Sequence, residues 1–294
     1  MKKPDVRGFF DPVTSTWTYV VYAEDHVDKN CAIIDSVLDY DIYSSQVQTT
    51  SADEVIQFIK QKGLNVQWIL ETHIHADHLT GAAYIKEKLG GKIGISKYIL
   101  EVFKTWEPLF NERPYDFRNG PSFDHQFDHN ESFTVGPFKA RILHTPGHTP
   151  VDSTYIIGDA VFVGDLIFMP DVGTGRYDFS GGSAEQSYDS SRKILSWPGD
   201  YRLYVGHDYP PADSRLPQCM ATIAEQKRSN IRVRDGISKD EYVTKRNQDD
   251  KGKKIPKLLL PSIQVNLRAG NFSHTLDGAK YIKLPINSLR QILN

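Results

Sequence analysis

The segment Thr72-His73-Ile74-His75-Ala76-Asp77-His78 constrains this chain more than any other, because three imidazoles and a carboxylate crowd into the six positions 73–78. It follows directly on the apolar run 66–70, which reads as a buried strand. An extended turn alternates its side chains, so His73 and His75 can aim to one side while Asp77 and His78 follow as the chain enters a helix. This is metal-ligand chemistry at short range. A lone histidine here would read as part of a solvated loop. With 10 histidines in the whole chain, three of them beside an aspartate read as ligands instead.

Three more groups share this setting. Pro146-Gly147-His148-Thr149, Gly164-Asp165 and Gly206-His207-Asp208-Tyr209 each close an apolar run with strand character, at 138–143, 160–163 and 202–205. In an α/β protein such strand ends converge on one edge, where ligand sites form. The glycine beside each candidate permits a tight turn. Each dipeptide alone is weak evidence, but the order HxHxDH, then H, then D, then H is specific.

The remaining pattern supports an α/β chain. Runs 17–22 and 32–34 flank a polar stretch and read as a hairpin. Residues 52–62, closing at Gly63, 80–89, closing at Gly90-Gly91, and 183–195, capped by Ser183, read as helices. Residues 92–96, 132–135 and 153–157 read as strands. Beyond 213 the pattern turns helical and charged, then apolar over 257–267, then irregular from 271 onward. The expected division is a core over 1–212 and a C-terminal extension over 213–294, packed on that core.

Charge and hydropathy narrow the partners. Lys+Arg 35 against Asp+Glu 37 leaves a formal charge of -2, which offers no general attraction to phosphate backbones or anionic lipid. Nucleic acid and membrane are therefore not expected partners, and the Lys-Arg clusters at 227–234 and 251–254 read as solvated surface. The opening residues lack a secretory signal pattern, so a cytoplasmic location is the expectation. Cys31 and Cys219 have no metal-finger or disulfide-framework spacing and read as reduced.

With these residues in place, the sequence resembles the metallo-β-lactamase superfamily over about residues 15–210. That resemblance implies an αβ/βα sandwich with a metal site at one edge, here followed by a helical and irregular C-terminal extension. Two branches match the spacing. One is glyoxalase II, a dinuclear hydrolase of a glutathione thioester. The other is the persulfide dioxygenase family, of the ethylmalonic encephalopathy protein type, which oxidises glutathione persulfide at a mononuclear non-haem iron in sulfide detoxification. Thr72 to Gly81 resembles the dioxygenases' THxHADHxTG, Gly175-Arg176-Tyr177-Asp178-Phe179 their GRxDF, and His207-Asp208-Tyr209 their HDY. Leu260-Pro261-Ser262-Ile263-Gln264-Val265-Asn266 and Arg268-Ala269-Gly270 look like an extension of one bacterial subgroup. Leu143 to His148 and Ala184-Glu185-Gln186 fit glyoxalase II equally well.

Carried over by motif, the iron ligands fall on His73, His148 and Asp165, with one Fe(II) per chain. Two imidazoles and a carboxylate form the facial set of oxygen-activating iron enzymes, leaving positions for substrate sulfur, O2 and water. His75, Asp77, His78 and His207 then either support that centre or hold a second metal. The rival reading is accordingly a hydrolase with one or two Zn ions. The resemblance implies no catalytic side chain beyond the metal centre, glutathione persulfide and O2 as partners, and assembly as a homodimer. Arg176 is the candidate grip on a glutathione carboxylate, with pairing to Asp178 as its alternative role, and Tyr209 is a second substrate contact or a packing residue. A catalytically silent metal-binding module is a third class, and so many retained polar groups at a sheet edge argue against it.

Three features stay outside this scheme. Asp124-His125 and Asp128-His129 read as a solvated loop, and His144 as a strand-end packing residue. The aromatic stretch 103–127, with Trp106, Phe110, Tyr115, Phe117 and Phe123, reads either as a lid over the metal or as core.

Overall fold

Consecutive apolar residues in the opening strands, rather than alternating ones, require a sheet covered on both faces. The computed structural model describes residues 3–110, 123–178, 180–211, 214–274 and 277–287. In it β1 (Asp5–Asp11) pairs with β2 (Thr16–Tyr22), and β2 with β3 (Asn30–Ile34), forming the expected hairpin with Tyr19 opposite Ile34. Successive residues of β2 then go to different cores. Tyr19 and Val21 face the interior between two sheets, while Val20 and Tyr22 face a helical layer.

The chain next makes β4 (Val37–Asp41), β5 (Gln46–Gln48) and α1 (Thr50–Lys62). Val55, Ile56 and Ile59 share the buried face of α1, and Gly63 ends it at φ 62, where Leu64 N–H reaches back to Ile59 O at 3.0 Å. Strand β6 (Asn65–Leu70) returns parallel to β3. The short β7 (Leu79–Thr80) pairs with β4 before α2 (Ala82–Leu89) begins. The helix expected from residue 80 thus starts later, because Thr80 is held in a strand pair. Strand β8 (Lys92–Ser96), α3 (Ile99–Phe110) and β9 (His125–Phe127) complete this half.

The second half opens with the meander β10 (Ser132–Val135), β11 (Phe138–His144), β12 (Ser153–Ile157) and β13 (Ala160–Phe162). Helix α4 (Ala184–Leu195) follows, its Ser183 cap accepting from Gln186 N–H at 3.2 Å as expected. Strand β14 (Arg202–Tyr204) runs parallel to β13, and β15 (Met220–Thr222) pairs with β14. Helices α5 (Ile223–Ser229), α6 (Lys239–Asp250) and α7 (Leu259–Asn266) and the ribbon β16 (Ser273–His274) with β17 (Lys280–Tyr281) follow.

Among the described residues the two main sheets each have six strands, in the orders β1-β2-β3-β6-β8-β9 and β10-β11-β12-β13-β14-β15. They pack face to face over Tyr19, Ile34, Leu70, Ile142, Tyr155 and Phe162. Helices α1 and α2 cover the outside of the first sheet, and α4 covers the outside of the second. This is the αβ/βα sandwich the resemblance implied. The position expected to divide core from extension, 213, lies outside the described residues, and the second sheet gains β15 after it.

Several local expectations change. His125 belongs to edge strand β9 and bonds Glu131 at 2.7 Å, so the Asp124 to His129 stretch is not a free loop. Asp124 instead accepts from Lys86 and from Ile93 N–H. His144 ends β11 and stacks on Tyr98 at 3.7 Å, in keeping with a packing role. Phe103, Trp106 and Phe110 pack in a core with Ile263 and Leu267, while Tyr115, Phe117 and Phe179 lie outside the described residues. Cys31 and Cys219 are free, and burial pushes the Cys31 thiol up to about 12, as suits an inert core residue. No helix among the described residues is long and apolar enough to cross a membrane.

Candidate metal centre

Four strand ends meet at one edge of the sandwich. The loop after β6 brings His73, His75, Asp77 and His78 from the first sheet. The loops after β11, β13 and β14 bring His148, Asp165 and His207 from the second. The side chains fall into two groups, each with donor atoms within 4.8 Å of one another: His73, His148 and Asp165, and His75, Asp77, His78 and His207. Asp165 stands between them. Its Oδ2 lies 3.6 Å from His148 Nε2 and its Oδ1 lies 3.4 Å from His207 Nε2. Asp77 Oδ2 is likewise 3.4 Å from both His78 Nδ1 and His207 Nε2.

The rings are oriented from behind. His73 Nδ1 meets Thr72 Oγ1 at 2.9 Å, His148 Nδ1 donates to Arg176 O, and His207 Nδ1 donates to Ser15 O at 3.2 Å. His75 Nε2 lies 3.2 Å from both Asp35 Oδ1 and Glu71 Oε2. Each of these rings thus spends one nitrogen on the protein, as metal-ligating histidines do. The opposite atoms, His73 Nε2, His75 Nδ1, His78 Nε2, His207 Nε2 and Asp165 Oδ1, are buried without a hydrogen-bond partner. Leaving one such group bare costs about 1–3 kcal/mol. A divalent cation in either group answers that deficit, and imidazole with carboxylate suits iron or zinc.

The protonation states follow from the packing. Burial, reinforced by surrounding imidazoles, holds His73 and His78 below the usual histidine range, which keeps their lone pairs available. Burial works the same way on His75 and His207, but Asp35 with Glu71 outweighs it at the former, and Asp165 with Asp77 at the latter, so both are raised. Burial alone would raise Asp77, yet the imidazoles of His207 and His78 carry it well below the carboxylate range. Glu71 is raised, chiefly by burial.

Gly164 is required by this crowding. Its φ is +53, and a Cβ there would sit 2.5 Å from Thr72 Oγ1, the atom that meets His73 and donates to Asp35 at 2.8 Å. Gly164→Ala is expected to displace Thr72 and His73 and to weaken metal binding at least about tenfold, as loss of a supporting partner does. Competition with a chromophoric chelator measures this, and wild-type affinity in the variant would refute it.

The centre opens on a cleft of about 640 Å³ that reaches His148, Asp165, Arg176 and Tyr209. The Arg176 guanidinium forks onto Asp178 at 2.5 and 2.6 Å, the pairing weighed above as its alternative role, while its carbonyl fixes His148. Tyr209 stacks on His207 at 5.6 Å and meets Phe168 edge-on at 5.8 Å. The two Lys-Arg clusters are mostly exposed, as expected, but Arg232 and Lys253 line the cleft, as does Arg246 of α6. Arg232 is drawn in by Asp249 of α6, while Lys253 stays exposed and pairs with Asp250 at the cleft wall.

Other supports had no local sequence signal. Asp208 is fully buried and held by both arms of Arg215, at 2.5 and 2.9 Å, and Arg215 also forks onto Asp171. This clamps the loop of His207 and Tyr209 to the loop that follows Asp165. Asp35 was findable, because it follows β3 as His73 follows β6, a polar residue at the carboxyl end of an apolar strand.

Comparison with known proteins agrees with this geometry. The family model described as Metallo-beta-lactamase superfamily matches residues 11–207. A probable metallo-hydrolase of Burkholderia pseudomallei is 42% identical over 97% of this chain and 99% of its own length. Glyoxylase B2 of Dictyostelium discoideum is 46% identical over 91% of this chain and 92% of its own. The mitochondrial persulfide dioxygenase ETHE1 of Homo sapiens is 28% identical over 81% and 78%. The crystal structure of ETHE1 from Myxococcus xanthus superimposes with a TM-score of 0.71 at 29% identity, covering 91% of this chain and 100% of that one. With strand ends, donor groups and family model in accord, the chain belongs to the metallo-beta-lactamase superfamily.

Proposed function

We propose that this protein is a persulfide dioxygenase, which converts a low-molecular-weight persulfide, O2 and water into the thiol and sulfite at a single iron held by His73, His148 and Asp165. The observation that carries this reading is the first donor group: two imidazoles and one carboxylate, two of them lining the cleft, with no fourth donor in that group among the described residues. Iron(II), if held by His73, His148 and Asp165, would supply the redox chemistry that the reaction of persulfide with O2 needs. For RSSH the balance is RSSH + O2 + H2O giving RSH + H2SO3, so the chain need supply no nucleophile.

The side chains have other work. Arg176 and Lys253 offer cationic ends to the carboxylates of a peptide-like thiol such as glutathione. Phe168 and Tyr209 give the cleft an aromatic side next to His207. His75, Asp77, His78 and His207 hold the neighbouring polar space, and Asp35 and Glu71 brace His75 from behind. In this reading the core over 1–212 provides the metal-facing side chains, and the extension over 213–294 completes the cleft with Arg232, Arg246 and Lys253.

A second reading, a dinuclear zinc hydrolase of a glutathione thioester, is favoured by a specific observation: the second donor group is complete, and Asp165 reaches both groups. The relatives named metallo-hydrolase and Glyoxylase B2 point the same way. Oxygen uptake and sulfite release by iron-loaded protein given glutathione persulfide, beside thioester cleavage by zinc-loaded protein, separates the two. Oxygen uptake with sulfite supports the dioxygenase, and its absence together with metal-dependent thioester cleavage replaces it with the hydrolase. Arg176→Ala is expected to raise KM about tenfold or more with little change in kcat, because one charge-assisted hydrogen bond then disappears from ground state and transition state alike. An unchanged KM would remove Arg176 from the binding site.

A further inference from the structure

Helix α7 reaches the loop that carries the donor residues through one side chain. Asn266, its last residue, is 2% exposed. Its Oδ1 accepts from Thr80 N–H at 2.8 Å, and its Nδ2 donates to His75 O and His78 O, both at 2.9 Å. Both amide donors and the acceptor are therefore spent on backbone groups of one loop. No other residue of similar size can do this. A carboxylate would set negative charge against two carbonyl oxygens, and an apolar side chain would leave three backbone groups without that partner.

Two other anchors, Asp35 and Glu71, meet main-chain or hydroxyl groups only at the ends of this loop. Asp35 accepts from Thr72 N–H at 2.7 Å, and Glu71 accepts from Thr80 Oγ1 at 2.5 Å. Asn266 alone among these three holds backbone groups of the interior, at the carbonyls of two residues in the second donor group, where Asp35 and Glu71 reach only the His75 ring. The loop's alternation agrees with this. Ile74 and Ala76, between the candidate ligands, pack with Leu259, Ile263 and Leu267, on or just after α7. One side of the loop is thus given to metal-facing donors and the other to the C-terminal helix.

We infer that Asn266 is a positioning residue of the metal centre, through which the C-terminal extension sets the donor geometry of His75 and His78. This rests on reading residues 73–78 as the metal-holding loop. Cobalt(II), whose visible spectrum reports coordination geometry, is titrated into metal-free, full-length wild type, Asn266→Ala, Asn266→Asp and Ser262→Ala. Ser262 is a fully buried residue of the same helix whose hydroxyl has no hydrogen-bond partner, so it controls for damage to α7 itself. The expected result in Asn266→Ala is a 10–100-fold loss of affinity for the cobalt equivalent held by His75 and His78, with an altered visible spectrum, while the equivalent held by His73, His148 and Asp165 is unchanged. Ser262→Ala is expected to match wild type in both readouts.

Wild-type affinity and spectrum in Asn266→Ala would overturn the inference and leave the amide as a fold contact. If that variant does not fold, Asn266→Asp carries the same test, since it keeps the size and the acceptor for Thr80 N–H. A wild type whose titration shows no cobalt equivalent at His75 and His78 would instead overturn the metal-loop reading beneath it.

Discussion

His73→Ala is expected to strip the protein of both metal and turnover. The first donor group has three members, and His73 is the one contributed by the first sheet. Its removal leaves His148 and Asp165, two donors on neighbouring loops of one sheet. The loss of metal affinity should exceed the 10–100-fold caused by removing an orienting partner, and turnover should fall with metal content. Metal analysis of purified protein, alongside the oxygen-uptake and thioester assays, measures both. His75→Ala provides the contrast. If a single iron occupies the first group, this variant retains that metal, because His75 belongs to the second group and leans on Asp35 and Glu71. A His73→Ala protein with full metal and turnover would sink the assignment of the first group.

The largest effect on stability is expected from Arg215→Ala. Asp208 is 0% exposed, and its carboxylate is met by both arms of Arg215 and by Gln218 N–H. Removing the arginine leaves a buried charge without its counter-ion, which costs about 3–5 kcal/mol. For a chain of this size that lowers the melting temperature by roughly 10 °C. Arg215→Lys should recover only part of the loss, because an ammonium cannot fork onto Asp208 and Asp171 together. Thermal unfolding of metal-free protein checks this without interference from bound ions. A shift of only a degree or two would mean that Asp208 takes up a proton or meets water once the arginine is gone.

How far these features could be read from the sequence depended on whether their cause was local. His73 to His78, His148, Asp165 and His207 were legible because each follows an apolar strand, and a shared fold edge is the simplest way to satisfy all four segments. Helix α4 was legible to the residue from its Ser183 cap and the spacing of its apolar side chains. Strands β1, β4 and β5 were missed, since they carry mixed polar residues and owe their form to pairing with neighbours. The helix expected from residue 80 was placed too early because β7 depends on β4, far off in sequence. Arg232 read as solvated for the same reason: its lysine- and arginine-rich surroundings say nothing of Asp249 in α6, which draws it toward the cleft. Asn266 acts across 186 to 191 residues, and Arg215, though only 7 residues from Asp208, clamps it to Asp171 at a separation of 44, so neither clamp shows in a short window of sequence.

Because each donor group draws side chains from both sheets, a bound ion does more than chemistry. An ion in the first group would tie the two halves of the sandwich together at the rim, since His73 comes from one half and His148 with Asp165 from the other. Filling the site therefore reports that the halves have docked correctly, and it also reinforces that docking. At a free metal concentration a hundred times the dissociation constant, the linkage adds about 2.7 kcal/mol to the folded state. Where metal is scarce, less of the chain would stay folded, so the same ion that serves the proposed chemistry would also set how much protein is present to perform it.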